Sequence, residues 1–322
     1  MSVGGFDHGG LAEVDKRYAD RTQRVKELRQ NGAKVVGYYC CYPPVEMLTA
    51  LDLVPYRIVG DVKEPITEAD AVLETIMCPF IRSSFDLALK GRYDFLDGLI
   101  VPHSCDTVQR IYDPWREYHR TAFMSFLNVP HMIHPSSFVF FKEELQRLRN
   151  LMADHVGRPM TDEVLREAIA LHNRTRALLR ELYDLRKESP PLITGTEVIR
   201  VLTVGQSLPA AEFADLLTSV IEEVKRRPQK PAATGPRVMI WGSQIDDVTF
   251  LKLIEDSGGT VVVDDMCTGT RTFWHDIPVT PDPLDGLVTH YLEKVPCPRT
   301  YRPRTGTRQE DLENRFSHLK DF

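Results

Sequence analysis

The sequence predicts an α/β protein with two parallel-sheet lobes joined by a helical middle segment, in which the C-terminal lobe is apparently incomplete. Short apolar strand runs alternate with helix-length segments near both ends of the chain, a pattern typical of buried strands in a parallel sheet. Between them, apolar residues recur with helical spacing. We therefore expect an N-terminal lobe over 1–137, a helical segment over 138–230 and a second lobe over 231–322.

The N-terminal lobe is predicted from the order of its elements. A surface helix over 7–31 comes first, because this segment is highly charged and Asn31-Gly32 is typical of a helix end. A helix over 45–52 follows Pro44, a residue favoured in the first helical turn. The other predicted elements are a helix over 79–90 and strands over 34–39, 55–59, 98–101 and 129–133.

The middle segment and the second lobe are predicted from changes in the spacing of apolar residues along the chain. Helical spacing over 143–155, 161–187 and 210–227 comes with acidic starts and basic ends, the charge order that the helix dipole favours. A linker rich in proline and small residues follows at 226–236. The second lobe is then predicted to contain strands over 237–241 and 260–264, with a helix over 246–257 between them.

The chain ends on a predicted helix over 309–322, with Leu312, Phe316 and Leu319 on one face. In a βαβ pattern the next element should be a strand. A half-built unit would leave a sheet edge unpaired and an apolar helix face thinly covered. We therefore expect this chain to be a shortened version of a longer one.

Composition and charge narrow the classes of function. The chain has 322 residues, of which 27% are charged, and a formal net charge of -6 without a basic block, so nucleic acid is not an expected partner. No segment resembles a membrane span or a secretory signal, which predicts a cytoplasmic protein that binds no membrane. No glycine-rich phosphate loop is present, so ATP would have to be hydrolysed by another protein.

Five of the six cysteines follow predicted strands or open a predicted helix. Cys40 and Cys41 end one strand run, Cys105 and Cys267 follow two others, and Cys78 opens a helix. The carboxyl ends of parallel strands form the functional crevice of an α/β sheet, so these thiols are expected near it. In the cytoplasm they are thiols or metal ligands rather than disulfides. Buried cysteine is also common as a small hydrophobe, and the residues alone leave both interpretations open.

Three cysteines have individual expectations. Cys40 precedes a Pro-Pro turn, so it either lines the substrate cleft or fills the space beneath it. Cys41 points to the opposite side if the strand continues, which predicts a packing role. Cys297, in Val295-Pro296-Cys297-Pro298, lies outside the pattern of the other five.

Four segments resemble the 2-hydroxyacyl-CoA dehydratase and benzoyl-CoA reductase family in order and approximate spacing. The resemblance covers most of 34–322, and with 295–298 the later segments are most similar to the larger cluster-bearing subunit of ATP-dependent benzoyl-CoA reductase. The four segments contain Tyr39-Cys40-Cys41-Tyr42-Pro43-Pro44-Val45-Glu46, Met77-Cys78-Pro79-Phe80-Ile81-Arg82, Gly91-Arg92-Tyr93-Asp94-Phe95 with Ser104-Cys105-Asp106, and Asp265-Met266-Cys267-Thr268-Gly269-Thr270-Arg271.

The resemblance implies a [4Fe-4S] cluster in a cleft between α/β lobes, held by three cysteines. Cys78 and Cys105 match the first two ligands. The family's third ligand lies in a later Phe-Cys-Asp motif that the sequence lacks before Phe322. Either the third thiolate lies beyond Phe322, which we favour, or Cys267 takes its place. Three thiolates leave one iron open to an oxygen or another exogenous ligand.

Four other residues are candidates for the site. Glu46 lies in a first helical turn, where the helix dipole favours an acidic residue, and the resemblance makes it a candidate for proton transfer. Arg82, one turn after Cys78, stabilises either an anionic cluster or a CoA phosphate, unless it forms an ordinary surface salt bridge. Gly269 resembles a turn that opens a helix and can bind an anion, with Arg271 adding positive charge.

The resemblance implies an iron–sulfur subunit of a radical enzyme that acts on an acyl-CoA, most like benzoyl-CoA reductase. A separate ATP-hydrolysing iron–sulfur activator would supply single electrons, and a homologous second subunit would complete a heterodimer. Two alternatives stay open. In the first, the chain is a subunit of an (R)-2-hydroxyacyl-CoA dehydratase. In the second, it is a structural partner subunit without a catalytic role.

Overall fold

The structure is a computed structural model that describes residues 9–228, 230–231, 235–245, 247–295, 297 and 316–322. These residues form two parallel sheets, one of four strands and one of two, together with twelve α-helices. The mixture of helices with parallel strands confirms the fold class predicted from the sequence. Within these ranges, no helix combines the length and the apolar character that crossing a bilayer requires.

Two helices precede the first sheet, where the sequence predicts a single one. Helix α1 covers Gly10–Ala19 and α2 covers Arg21–Gln30. Between them Asp20 has an extended backbone, and its carboxylate accepts a hydrogen bond from the Thr22 N–H at 2.9 Å. Because aspartate is a favoured N-cap residue, it separates the two helices. The predicted end at Asn31-Gly32 is confirmed, and Gly32 has a φ of 90° there.

The first sheet has the strand order β2-β1-β3-β4, with every neighbouring pair parallel. Its strands are β1 (Val35–Tyr38), β2 (Val54–Arg57), β3 (Gly98–Pro102) and β4 (Phe123–Leu127). The helices that connect them are α3 (Val45–Ala50), α4 (Pro79–Leu89), α5 (Asp106–Arg110) and α6 (Tyr112–Tyr118). All residues of β1, β2 and β3 are buried, because hydrophobic cores cover both faces of the sheet.

The fourth strand lies earlier in the chain than predicted. The sequence predicts a strand over 129–133, and that prediction is wrong, because the strand is β4. Pro130 has no N–H to donate to a sheet ladder, which disfavours a strand at that place. In β4 the buried residues, including Phe123 and Leu127, alternate with half-buried ones. This alternation is typical of an edge strand with one covered face.

The middle of the chain is helical, as predicted. Helices α7 (Pro135–Val156), α8 (Asp162–Asp184) and α10 (Ala210–Arg226) correspond to the three predicted segments. Helix α9 (Gly195–Gly205) is absent from the prediction. Its start carries a capping box, in which the Thr194 hydroxyl accepts from the Glu197 N–H and the Glu197 carboxylate accepts from the Thr194 N–H. The spacing Thr-x-x-Glu was the sequence signal for this helix.

The second sheet is small. Strand β5 (Arg237–Trp241) pairs in parallel with β6 (Thr260–Asp265), and α11 (Val248–Asp256) connects them, in the predicted order. Helix α12 (Pro283–Thr289) continues into a π-helical turn, His290–Lys294. Of the predicted helix over 309–322, residues 309–315 lie outside the described residues, and a 3-10 turn covers Ser317–Leu319.

Three hydrophobic cores hold these elements together. One lies on each face of the first sheet, and the third joins α1, α8, α9 and α10 to β6. Helix α12 packs on α7, and its Leu287 belongs to a core of the first sheet. Helix α8 takes part in two cores, through Leu165 near its start and Leu182 near its end. It therefore connects the two lobes.

The buried carboxylate of Asp86 in α4 provides a test of this packing. One of its oxygens accepts hydrogen bonds from three consecutive backbone N–H groups, at 2.8, 2.6 and 2.9 Å, those of Thr67, Glu68 and Ala69. We expect Asp86→Ala to lower the free energy of unfolding by ~2–3 kcal/mol, since these donors lose their acceptor. A urea titration followed by tryptophan fluorescence measures the loss. Asp113→Ala, at an exposed position of α6, should lower the free energy of unfolding by less than ~0.5 kcal/mol. Equal losses for the two variants would contradict a stabilising role of the Asp86 carboxylate.

Candidate functional site

Three thiols lie in the loops that follow β1 and β3 or at the start of α4. Cys105 is the N-cap residue of α5 and Cys78 is the N-cap residue of α4. Cys40 follows β1 and has a left-handed backbone with a φ of 61°, which is unusual for a residue other than glycine. The Ser104 hydroxyl donates a hydrogen bond to the Cys40 Sγ at 3.1 Å. The loops after β1 and β3 are therefore joined at this edge of the first sheet.

Five of the six cysteines, Cys40, Cys41, Cys105, Cys267 and Cys297, influence one another electrostatically. Burial, with the repulsion of Cys267 and then of Cys105, raises the pKa of Cys40 to about 12. A hydrogen bond with Cys297, together with burial, raises the pKa of Cys41 well above its ordinary value. Cys297, which the sequence pattern leaves apart, therefore lies beside Cys41.

The three cysteines predicted as cluster ligands have different environments. Cys78 is exposed, Cys105 is half-buried beside the Thr107 hydroxyl at 3.4 Å, and Cys267 is half-buried beside the Arg271 guanidinium at 3.4 Å. Among the residues that the structure describes, no three Cys, His, Asp or Glu side chains are arranged to hold a metal ion. The described residues thus offer thiols at the predicted positions without gathering the three into one ligand set.

Glu46, the predicted proton-transfer residue, is fully buried in α3. It accepts hydrogen bonds from the Arg176 guanidinium and from the Tyr291 hydroxyl, the latter at 2.8 Å. Burial alone would raise the pKa of Glu46, but the charge and hydrogen bond of Arg176, together with the smaller effects of His172 and His290, outweigh burial and the pKa falls to about 2. Burial lowers the pKa of His172 to about 4 and that of His290 to about 3, so both imidazoles are neutral at pH 7. Arg176 is therefore the cation that keeps Glu46 ionised.

A cavity of about 130 Å³ lies where the first lobe, the middle helices and the loop after β6 meet. Arg176 and Tyr291 form part of its wall, and Cys40 and Cys41 another part. Of the two interpretations of Cys40, the structure supports the one in which it lines a cleft. Cys41 belongs to a hydrophobic core, as expected, and also reaches the cavity. The other lining residues include Arg57, Gln206 and Thr268 on the polar side, and Leu179, Leu202 and Phe213 on the apolar side.

The predicted anion site at Gly269 contains a carboxylate of the protein itself. The Thr270 N–H donates to an Asp264 oxygen at 3.2 Å, and the Tyr183 hydroxyl donates to the other oxygen. A Cβ atom on Gly269 would lie 1.7 Å from that first oxygen, so only glycine fits. The turn therefore binds Asp264 in this structure.

The two predicted arginines have carboxylate partners within the chain. Arg271 is buried, and its Nε donates to Asp265 at 2.7 Å while another of its nitrogens donates to the Cys267 Sγ at 3.4 Å. Arg82 in α4 donates to Asp70 at 3.0 Å through its Nε. Of the two interpretations of Arg82, this geometry favours the salt bridge.

Sequence reasoning missed three polar residues of the cavity. Arg57 ends an apolar strand, Arg176 lies in the middle of α8, and Tyr291 lies in the π-helical turn. A charged residue at the end of an otherwise apolar strand was the available signal for Arg57. Arg176 and Tyr291 meet Glu46 across 130 and 245 residues of sequence, and no local pattern indicates such contacts.

Removing the negative charge of Glu46 should be strongly destabilising. We expect Glu46→Gln to lower the free energy of unfolding by ~3 kcal/mol at pH 7, because Arg176 is left buried without a counter-ion. The folded pKa is lowered from 4.5 to about 2, so the difference is complete above pH 4.5 and decreases as the pH falls below it. Urea titrations at intervals from pH 7 down to pH 3 measure this trend. Tyr291→Phe, which removes one hydrogen bond, should cost only about 1 kcal/mol, and a Glu46→Gln loss that does not depend on pH would contradict the ion pair.

Comparison with known proteins identifies relatives over most of the chain. The sequence is 29% identical to one of the subunits of benzoyl-CoA reductase from Thauera aromatica over 267 residues, which cover 81% of this chain and 68% of that protein. It is 28% identical to the putative dehydratase subunit YjiM of Escherichia coli (strain K12), over 83% of this chain and 72% of the relative. It is 23% identical to the (R)-phenyllactyl-CoA dehydratase beta subunit of Clostridium sporogenes, over 92% and 78%.

A family match agrees with these relatives and confirms the resemblance found in the sequence motifs. It extends over residues 40–321 and therefore includes Cys40, Glu46 and the cavity-lining segments of both lobes. The relatives are subunits of reductases and dehydratases. The chain belongs to the family described as 2-hydroxyglutaryl-CoA dehydratase, D-component.

Proposed function

We propose that this chain is the iron–sulfur subunit of an enzyme that acts on an acyl-CoA, with a benzoyl-CoA reductase-like, ATP-dependent reduction of an aromatic acyl-CoA as its reaction. The observation that carries the proposal is the family match over residues 40–321, which includes Cys78 and Cys105 in the segments that resemble the family's ligand motifs. The identity to the benzoyl-CoA reductase of Thauera aromatica favours the reductase among the family's reactions.

The proposed cofactor is a [4Fe-4S] cluster, with Cys78 and Cys105 as two of its ligands. Cys78 is the N-cap residue of α4 and Cys105 is the N-cap residue of α5. Cys78 is exposed and Cys105 is half-buried, so an incoming cluster can reach both sulfurs. When bound, such a cluster supplies one-electron chemistry. Cys267 stays a candidate for the third ligand, and because the three thiols are not gathered we derive no catalytic step through the cluster.

We propose a positioning role for Glu46 in place of proton transfer. Its pKa of about 2 leaves it without a proton to donate at neutral pH, and its two oxygens are occupied by Arg176 and Tyr291. Both partners line the cavity, so Glu46 fixes the orientation of two side chains that a ligand would meet. Binding contributions from Arg82, Gly269 and Arg271 have less support, because each already contacts a carboxylate of the protein.

A dehydratase is the second candidate function. The identity of 23% to the (R)-phenyllactyl-CoA dehydratase beta subunit extends over 92% of this chain, more than the 81% for the reductase relative. The third candidate, a structural subunit whose partner carries the working cluster, is favoured by the separate positions of the predicted thiols. Substrate assays distinguish the first two functions, and iron analysis distinguishes both from the third.

The ligand assignment can be tested by iron and sulfide analysis after anaerobic purification with a partner subunit. We expect Cys78→Ala and Cys105→Ala each to lose the cluster, because two thiolates cannot retain it, and Cys297→Ala to keep it. Cys267→Ala decides whether this thiol is the third ligand. A protein that lacks both Cys78 and Cys105 and keeps its full iron content would refute the assignment.

Association with other proteins provides a separate test. Because the sequence has no phosphate loop, we propose that a transiently bound ATP-hydrolysing iron–sulfur activator delivers the electrons. We also propose a stable heterodimer with a homologous subunit that buries more than ~2,000 Å², as permanent complexes do. Light scattering on the co-expressed subunits should give the mass of a heterodimer. A monomeric chain that reduces benzoyl-CoA without any other protein would show the proposal to be wrong.

A further inference from the structure

Arg57 differs from the other buried arginines of the protein. Four arginine side chains are buried in the described residues, namely Arg57, Arg176, Arg186 and Arg271. Three of them face a carboxylate, in the pairs Arg176 with Glu46, Arg186 with Asp264 at 3.8 Å, and Arg271 with Asp265 at 2.7 Å. Across the described ranges, Arg57 has no carboxylate within ion-pair distance. Its charge is therefore not balanced by the acidic residues that are described.

The Arg57 guanidinium also has an unused hydrogen-bond donor. Arg57 is only 1% exposed, its Nη2 donates to the Gln244 side-chain oxygen at 3.3 Å, and its buried Nε has no hydrogen-bond partner. Burying a cation without a counter-ion, and an N–H without an acceptor, is costly. Arg176 and Arg186 also have a buried Nε without a partner, so the missing counter-ion is what distinguishes Arg57, and an electron-rich ligand would supply it. Arg57 lines the cavity, so the ligand would enter there.

A second unpaired polar atom lies next to Arg57. The Arg57 N–H donates to the Gln206 backbone carbonyl at 2.9 Å, which fixes the two residues side by side. The Gln206 side chain donates through its Nε2 to the Thr268 carbonyl at 3.1 Å, and its buried Oε1 has no partner. This oxygen can accept a hydrogen bond from a hydroxyl or a water molecule beside the ligand. The polar end of the cavity is thus formed by two neighbouring residues, one from β2 and one at the C-cap of α9.

The remainder of the wall is suited to an apolar group. Leu179, Leu202, Leu208 and Phe213 line the cavity, and no aspartate or glutamate occurs among its described lining residues. A wall of two arginines and several apolar side chains selects a ligand with an electron-rich oxygen on an apolar body. Phosphate alone would leave the apolar wall without contacts.

We propose that this cavity binds the acyl end of the substrate, and that Arg57 is a specificity-determining residue whose guanidinium holds the carbonyl or carboxylate oxygen of that end. The inference rests on the proposed action on an acyl-CoA and extends it by naming the residue that binds the acyl oxygen. A thioester and a free aromatic carboxylate present the same chemistry to Arg57, and the probes benzoyl-CoA and benzoate distinguish these two sources.

Calorimetric titration of the full chain with benzoyl-CoA, benzoate and free CoA tests the proposal. We expect benzoyl-CoA to bind the wild-type protein more tightly than free CoA does, and Arg57→Met to weaken benzoyl-CoA binding at least tenfold. If benzoate binds as well, with the same dependence on Arg57, the site also takes free carboxylates. Arg226→Met, at an exposed arginine of α10, is the matched control and should bind as the wild type does. Equal binding of benzoyl-CoA and free CoA, or unchanged binding by Arg57→Met, overturns the proposal.

Stability of the unliganded protein distinguishes binding from a structural role. Arg57→Met removes an unpaired buried charge, so its melting temperature without ligand should equal or exceed that of the wild type. A clearly lower melting temperature would assign Arg57 a structural role and overturn the proposal. The variant Arg57→Lys, which keeps the charge but lacks the guanidinium, covers this outcome. If it folds normally and still loses benzoyl-CoA binding, the proposal stands. Ligand binding is measured by calorimetry and the cluster by iron content. Loss of the cluster assignment would therefore appear in the iron analysis, and failure of this proposal would appear in the binding of benzoyl-CoA.

Discussion

The buried ion pair between Glu46 and Arg176 is the interaction on which the arrangement of the site depends. It joins α3 of the first lobe to α8, and the Tyr291 hydroxyl adds the π-helical turn that follows α12. Removing two charges from water costs several kcal/mol each, and their attraction offsets that cost only when hydrogen bonds satisfy the remaining polar atoms. Three segments that are distant in sequence are held in one geometry by a single carboxylate.

The cavity obtains its electrostatic character from the difference between its two arginines. Arg176 is neutralised by Glu46, which lies behind the wall, whereas Arg57 extends from the end of β2 without a carboxylate partner in the described part of the chain. Both are positioned by backbone elements rather than by loops alone. The cavity therefore has one arginine paired with a carboxylate and one without such a partner in the described residues, and many of its other lining side chains are apolar.

Much of the fold could be predicted because it depends on local patterns. The strands β1, β2 and β3 are continuous apolar runs, and the long helices carry helical spacing with matching end charges; the edge strand β4 was misplaced because its alternating pattern is weaker. The site was less predictable. Glu46 was identified by its position, but its partners Arg176 and Tyr291 are distant in sequence. The sequence predicted an anion-binding turn at Gly269, and in the structure the Thr270 N–H of this turn donates to Asp264, a contact that depends on packing.

The left-handed backbone at Cys40 makes the residue type at this position informative when the family's sequences are compared. A side chain in this conformation costs ~1–2 kcal/mol that glycine would avoid. Under selection for stability alone, mutational drift at this position therefore favours glycine. A lineage that keeps a thiol there retains it against that drift, so the residue at position 40 separates relatives in which the thiol is under selection from those in which it has become dispensable.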